Sequence, residues 1–136
     1  MTESYYQKKI IKAIEKMGGH VVNGNYTKAG EADLQCGYPV TLYKKLATYT
    51  TTGCNLKYTE FKTLVHLCIE VKTEYDYYRV MRAVDADYNV INSKALKSHE
   101  PLQMAKIRNV RRLGGLALVA FNIKQVKEYI NGKEIS

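Results

Sequence analysis

Residues 65–72, VHLCIEVK, constrain the fold more than any other stretch. Val65, Leu67, Ile69 and Val71 alternate with His66, Cys68, Glu70 and Lys72. A period of two is that of a β-strand with one face on a core. Glu70 and Lys72 then share the other face, about 6–7 Å apart along the strand, and form a polar island at its end. Two readings of the island stand side by side. One is a surface ion pair, which adds little stability; the other is a pair of groups presented for chemistry.

The flanking chain supplies helices and further strands. Residues 3–17 read as a helix: Thr2 suits the cap, and Tyr6, Ile10, Ala13, Ile14 and Met17 recur at helical spacing before Gly18-Gly19. Glu3 and Gln7 lie seven residues before Ile10 and Ile14 and extend that apolar stripe, whereas Glu15 points to solvent. A carboxylate heading a buried stripe serves the helix dipole or faces a site. Residues 20–26 read as a short strand and turn, and a second strand is expected from about Ala32 to Gly37. Asp33 at its start is unusual, because Asp is disfavoured inside strands; a turn or strand-edge cap is the plain alternative.

Two stretches are harder to place. Residues 40–64 are rich in Thr, Tyr and Lys and fit an added hairpin around Thr52-Gly53 or a mobile loop. Residues 73–99 contain a helical segment at about 78–84. The cluster Tyr75, Tyr77, Tyr78 and Arg79 suits stacking on unpaired bases or, more simply, a packing or dimer surface. Pro101 fits a first helical turn, and a helix is expected over residues 101–113. One face would be Leu102, Ala105, Asn109 and Leu113, with Gln103, Ile107 and Val110 beside it. Gly114-Gly115 stops it. Residues 116–121, LALVAF, form a buried strand. Asn122 and Gln125 then open a last helix with a capping box, running to about Ile130.

Composition bounds the rest. The 136 residues suit one domain, 1–136, and the formal net charge of +8 favours a polyanionic partner, most simply nucleic acid. No apolar run reaches membrane-spanning length, so no membrane partner is expected. The N-terminus carries no signal-peptide core. Cys36, Cys54 and Cys68 are odd in number and unlike any zinc spacing; they are expected as free thiols in a reducing, cytoplasmic setting. A metal site of His20, His66 and His99 would require three separate elements to converge, and His66 with Cys68 makes a weak nucleophile pair.

In order, the chain offers Glu3 and Gln7 on a helix ending in Gly18, then Gly30-Glu31-Ala32-Asp33, then Glu70-Val71-Lys72. Gln103 on a later helix and Gly114-Gly115 before an apolar strand complete the series. This series resembles the PD-(D/E)XK nuclease superfamily, and within it the VRR-Nuc branch, which includes phage-encoded and Holliday junction resolvase-like nucleases. The match covers roughly residues 1–38, 65–73 and 100–131; about 40–64 and 74–99 look like insertions. Ala32 replaces the usual Pro, and Glu31 adds a carboxylate beside Asp33.

The resemblance implies an α/β, single-domain, restriction-endonuclease-like fold. Its central mixed sheet is flanked by helices in α-β-β-β-α-β-α order. It also implies Mg²⁺, replaceable by Mn²⁺, anchored by Asp33 and Glu70 with the Val71 carbonyl, Glu3 holding a second metal or a water, and Lys72 and Gln103 completing the catalytic set. The chemistry of the residues agrees: phosphodiester hydrolysis needs charge neutralised and a water activated, and a hard cation on carboxylate oxygens supplies both. Lys72 is suited to orient the water or stabilise developing phosphorane charge. Gln103 would position Lys72 or the phosphate. Lys94, Lys97, Lys106, Arg108, Arg111 and Arg112 are the expected DNA-binding cations, although Arg111 and Arg112 are also accounted for by the helix dipole. The expected activity is that of a structure-selective endodeoxyribonuclease, preferably a Holliday junction resolvase acting as a homodimer on branched DNA. A flap, end or duplex nuclease of repair or defence and a non-catalytic nucleic-acid-binding protein are the alternatives. The expected location is intracellular, including a host cell if the protein is virus-encoded.

Overall fold

The structure, a computed structural model, describes residues 1–22 and 34–133. Gly30, Glu31, Ala32 and Asp33, and with them the second expected metal-binding carboxylate, lie outside the described residues.

Helix α1 spans Glu3–Lys16; the Thr2 hydroxyl accepts the Tyr5 N–H at 3.4 Å, and Ile10 and Ile14 are buried. Its end explains Gly18-Gly19. Gly18 sits at φ +94°, the Gly18 N–H donates to the Glu15 carbonyl, and the Gly19 N–H donates to the Ile14 carbonyl. This pairing closes the last helical turn on a left-handed residue, which glycine adopts without penalty. A Cβ on Gly19 would stand 2.5 Å from Ile14 Cγ2 and 2.8 Å from the Gly37 carbonyl oxygen, so the second glycine is there for space.

Three strands follow: β1, His20–Val22; β2, Leu34–Thr50; and β3, Gly53–Val71. Helix α2, Glu74–Arg82, is capped by the Thr73 hydroxyl on Asp76 N–H. A single 3-10 turn at Ser93–Ala95 leads to α3, Glu100–Arg112, then strand β4, Leu116–Ala120, and helix α4, Ile123–Asn131. The four-stranded mixed sheet has the order β1-β2-β3-β4, antiparallel except for the parallel β3/β4 pair.

The expected elements need four corrections. First, residues 40–64 take the hairpin reading around Thr52-Gly53 and not the loop, and what needs correcting is the length of the strands. β2 and β3 pair without a break from Leu34↔Ile69 to Thr50↔Gly53, so the second and central strands run far past their expected ends into one hairpin. Second, the helix expected at 78–84 begins earlier, at Glu74, where Thr73 supplies the cap. It adds an element to the expected order, giving α-β-β-β-α-α-β-α. Third, the buried face of α3 is Glu100, Met104 and Ile107, whereas Leu102 and Leu113 are exposed. Fourth, the strand carrying Glu70 is covered on both faces. Leu67, Ile69 and Val71 join Ile10, Ile14, Val126 and Ile130 in one core. Cys68 packs on a second core built from Val80, Met104, Ile107, Ala117 and Val119. A polar island on a surface thereby becomes a buried one.

The second core is tied by Tyr88, which sits at φ +62°. Its hydroxyl accepts the Val119 N–H at 3.1 Å, and its ring carries the Arg111 guanidinium 4.6 Å above its centroid. Tyr77 and Tyr78 pack edge-on or tilted against Phe121, with centroids 5.1 and 5.7 Å away, and Tyr6 meets the same ring from α1. Of the two readings of that tyrosine cluster, packing describes Tyr77, while Tyr78 touches Phe121 with half its surface exposed and Tyr75 is exposed. Arg79 turns the other way, into the site.

Candidate active site

Strand parity places Glu70 on the face covered by α3, and Lys72 follows directly after β3. Both are buried, at 1% and 4% exposure. They do not form the direct ion pair expected of a surface strand end. Gln103, in the second turn of α3, stands between them: its Nε2 donates to Glu70 Oε1 at 2.8 Å, and its Oε1 accepts from Lys72 Nζ at 3.0 Å. Only one orientation of the amide satisfies both neighbours, because an ammonium can only donate and a carboxylate only accept.

The row continues beyond Lys72. Glu100, the first residue of α3 and fully buried, takes Lys72 Nζ at 3.2 Å. It also accepts two bonds from Arg79, at 2.7 and 2.9 Å, and the Lys97 backbone N–H at 2.6 Å. Arg79 in turn holds Asp76 at 3.2 Å. From Arg79 through Glu100, Lys72 and Gln103 to Glu70, the row carries two cations and two carboxylates. That balance is what buried charge requires, since an unpaired buried ion costs several kcal/mol. Burial alone would raise the Glu100 pKa, but the Arg79 hydrogen bonds, the Lys97 N–H and Lys72 outweigh it and hold the group at about 2. The Glu100 hydrogen bonds raise the Arg79 pKa in turn.

Glu100 did not emerge from the sequence, where a carboxylate in a first helical turn reads as a dipole partner. A usable signal was present: Glu100 is three residues before Gln103 and therefore its neighbour on one helix face.

Beside the row lies a cavity of about 260 Å³, lined by Gln35, His66, Cys68, Glu70, Gln103 and Lys106 over a floor of Ile107, Val110 and Ala117. Glu70 and Gln103 are on its wall; Lys72 stands one step behind, facing Gln103 and Glu100. Cys68 Sγ lies 3.5 Å from His66 Nε2. Cys36 is buried on the opposite side of the sheet; burial and the nearby Cys68 push its thiol up to about 11, so it remains protonated. All three cysteines are free.

The remaining candidates divide. Glu3 and Gln7 are half-buried on α1, which packs on the sheet face opposite α3. Val71 is the last residue of β3, paired with Ala120. Lys106 borders the cavity, and Lys94 and Lys97 are exposed just ahead of α3. Arg108, Arg111 and Arg112 instead line a separate cavity of about 450 Å³ at the far end of α3, with Asp87 and Asn89. Arg111 is used internally: its Nε donates to the Ala117 carbonyl at 2.7 Å, and its guanidinium lies between the Tyr88 and Tyr129 rings. Arg108 donates to the Tyr88 carbonyl at 2.7 Å, and exposed Arg112 bonds Asn109 at 3.0 Å.

As a metal site, the cavity wall offers one buried carboxylate, Glu70, while the other buried carboxylate, Glu100, is taken up by Arg79 and Lys72. Among the described residues no three His, Cys, Asp or Glu side chains gather into a metal cage, so His20, His66 and His99 do not converge. A single carboxylate opening on a cavity fits Mg²⁺, which keeps several waters and is bound through one or two carboxylates. Leu34, where β2 begins, pairs with Ile69, the residue before Glu70. No helix among the described residues is long and apolar enough to cross a membrane. Compared with family models, with curated proteins and with solved structures, the chain matches none of them.

Proposed function

We propose that the protein is a metal-dependent endodeoxyribonuclease of the PD-(D/E)XK type, VRR-Nuc branch, with a restriction-endonuclease-like core. The observation that carries this reading is the row Glu70–Gln103–Lys72. These three residues carry the resemblance to that branch. They come from one strand end and a helix some thirty positions later, yet they meet in consecutive hydrogen bonds of 2.8 and 3.0 Å beside a cavity.

In this reading Glu70, with Asp33 and Glu3, would hold Mg²⁺ or Mn²⁺, alongside the Val71 carbonyl. When bound, the cation would neutralise phosphate charge and lower the pKa of a water. The chain's own residues do the rest. Gln103 fixes the Glu70 carboxylate through Nε2, and that carboxylate would be one of the cation's oxygen ligands. The same amide, with Glu100, fixes the position of Lys72 Nζ, directed to stabilise charge developing on the phosphate. Lys106 on the cavity wall, and Lys94 and Lys97 nearby, would take the flanking phosphates. A compact domain with backbone contacts of this kind selects DNA by shape more than by base. A branched junction cut by a homodimer is the preferred substrate, since two sites related by symmetry place paired cuts.

The test is cleavage of labelled four-way junction, flap, duplex and single-stranded DNA with and without Mg²⁺. Glu70→Gln and Asp33→Asn should abolish cutting while binding survives. Near wild-type cleavage by either variant would remove the proposed site. Ca²⁺ should support binding without efficient cutting.

A further inference from the structure

Past the sheet, β2 and β3 continue as a bare two-stranded ribbon. Ten residues of each strand, 41–50 and 53–62, stay paired beyond the Val40↔Thr63 rung, and every residue from 43 to 62 is exposed. At about 3.3 Å per residue the arm reaches on the order of 33 Å, close to one turn of B-form DNA, about 34 Å. A two-stranded ribbon is also of a width that the major groove admits. An isolated hairpin is marginal in water, so an arm of this length implies an occupant.

Charge identifies it. Residues 41–62 hold four lysines against one glutamate, while the whole chain is at +8. A second copy of this chain carries the same net positive charge, so a polyanion is the complementary occupant. The rungs also select a face. Opposed residues point the same way, and the pairing from Gln35↔Cys68 outward has no bulge. The cavity face that carries Glu70, Cys68 and His66 thus continues into Lys62, then Tyr43 opposite Glu60, then Lys45 opposite Tyr58. Tyr43 and Tyr58 are 67% and 64% exposed. The right-handed twist of paired strands winds this face along the arm, as a groove winds along a duplex.

Building on the proposed nuclease reading, we infer that the β2–β3 arm is a duplex-DNA grip. Lys45 and Lys62 contact phosphates and Tyr43 and Tyr58 pack on the backbone, about one helical turn from the cutting position.

The experiment compares Lys45→Ala/Lys62→Ala with Lys44→Ala/Lys57→Ala on the opposite face of the arm. Binding to a labelled 24-base-pair duplex is measured without divalent metal over a salt series. The Lys45/Lys62 variant should bind more weakly and lose about 1.8 from the slope of log K against log salt, about 0.9 per phosphate contact. The Lys44/Lys57 variant should keep the wild-type slope. All four side chains are exposed, so folding is preserved and circular dichroism verifies it. Equal slopes in both variants would overturn the inference, as would a Lys45/Lys62 variant that turns a dimer into a monomer in sedimentation with an unchanged slope, since the arm would then hold a second copy. Mg²⁺-dependent cleavage by the wild type separates the two claims. Cutting with an unmoved slope defeats the arm alone; no cutting, with the slope lost as expected, defeats the nuclease reading alone. Absence of duplex binding by the wild type defeats the arm, and absence of Mg²⁺-dependent cleavage of every DNA form defeats the nuclease reading.

Discussion

Replacing Glu100 by Gln should reveal how much the buried row contributes to stability. In the native state the carboxyl is held at about 2 against its ordinary 4.5. A difference of that size amounts to on the order of 3 kcal/mol at neutral pH. The contribution is present in full above pH 4.5 and is lost as pH falls from 4.5 toward 2, because the unfolded chain takes up the proton first. Removing one partner of a buried ion pair costs about 3–5 kcal/mol by a separate route, and the two figures agree in scale. Glu100→Gln leaves Lys72 and Arg79, 3.2 and 2.7 Å from that carboxylate, without their shared counter-ion. With a urea m-value of about 1.5 kcal/mol/M, the unfolding midpoint at pH 7 should drop by about 2 M. The variant should also lose less stability than the wild type between pH 4.5 and 2. Equal midpoints at pH 7, or equal pH dependence in that window, would show that Glu100 is not the counter-ion the geometry makes it.

Three other outcomes follow from the same geometry. Gln103→Ala should lower kcat at least tenfold with little change in duplex affinity, because both Glu70 and Lys72 lose the group that orients them; a change confined to KM would count against that role. Glu3→Gln should lower turnover and Glu15→Gln should not, since Glu3 is half-buried and Glu15 exposed; kcat ratios near one for both would sink the role given to Glu3. Replacing Lys94, Lys97 and Lys106 together by Ala should weaken binding to every DNA shape and flatten the salt slope by about 0.9 per lost contact. An unchanged slope would move the DNA track to the arm.

The sequence was most legible where one local cause decides the structure. The two-residue alternation of 65–72 gave a central strand, and Thr2 and Asn122 gave caps that form as expected. Gln125 departs slightly from the capping-box pattern: its side chain reaches past the cap to the Phe121 N–H at 2.8 Å. Both Gly-Gly pairs stop helices by one device, Gly114 at φ +86° and Gly115 too close to Val110 Cγ1 to carry a Cβ. What stayed hidden depends on distant partners. The extent of the β2–β3 hairpin has no apolar alternation to announce it, because neither face of the arm is covered. The buried face of α3 is hidden in the sequence because its first member is a charged residue, Glu100, which only Lys72 and Arg79 make acceptable there. Asp33, central to the proposed metal site, lies outside the described residues.

One connection explains why the row forms where it does. β3 and β4 are parallel neighbours, Leu67↔Leu116 through Val71↔Ala120, so the chain leaving the top of β3 must return to the bottom before β4 begins. α3 makes that return. Its first turns therefore lie at the C-terminal end of β3 and its last turn at the start of β4, and the contacts follow this order. Gln103 bonds Glu70 near the end of β3, and Arg111, two turns on, bonds Ala117 near the start of β4. In open α/β sheets, ligands bind outside the carboxyl ends of the strands, and here that end is where a buried carboxylate, a lysine and an amide are brought together. The far end of the same helix is latched by an arginine between two tyrosine rings. Fixing the helix at one end sets its register against β3 at the other. The placement of Gln103 between Glu70 and Lys72 is therefore a consequence of the crossover, not of any contact the strand end could make alone.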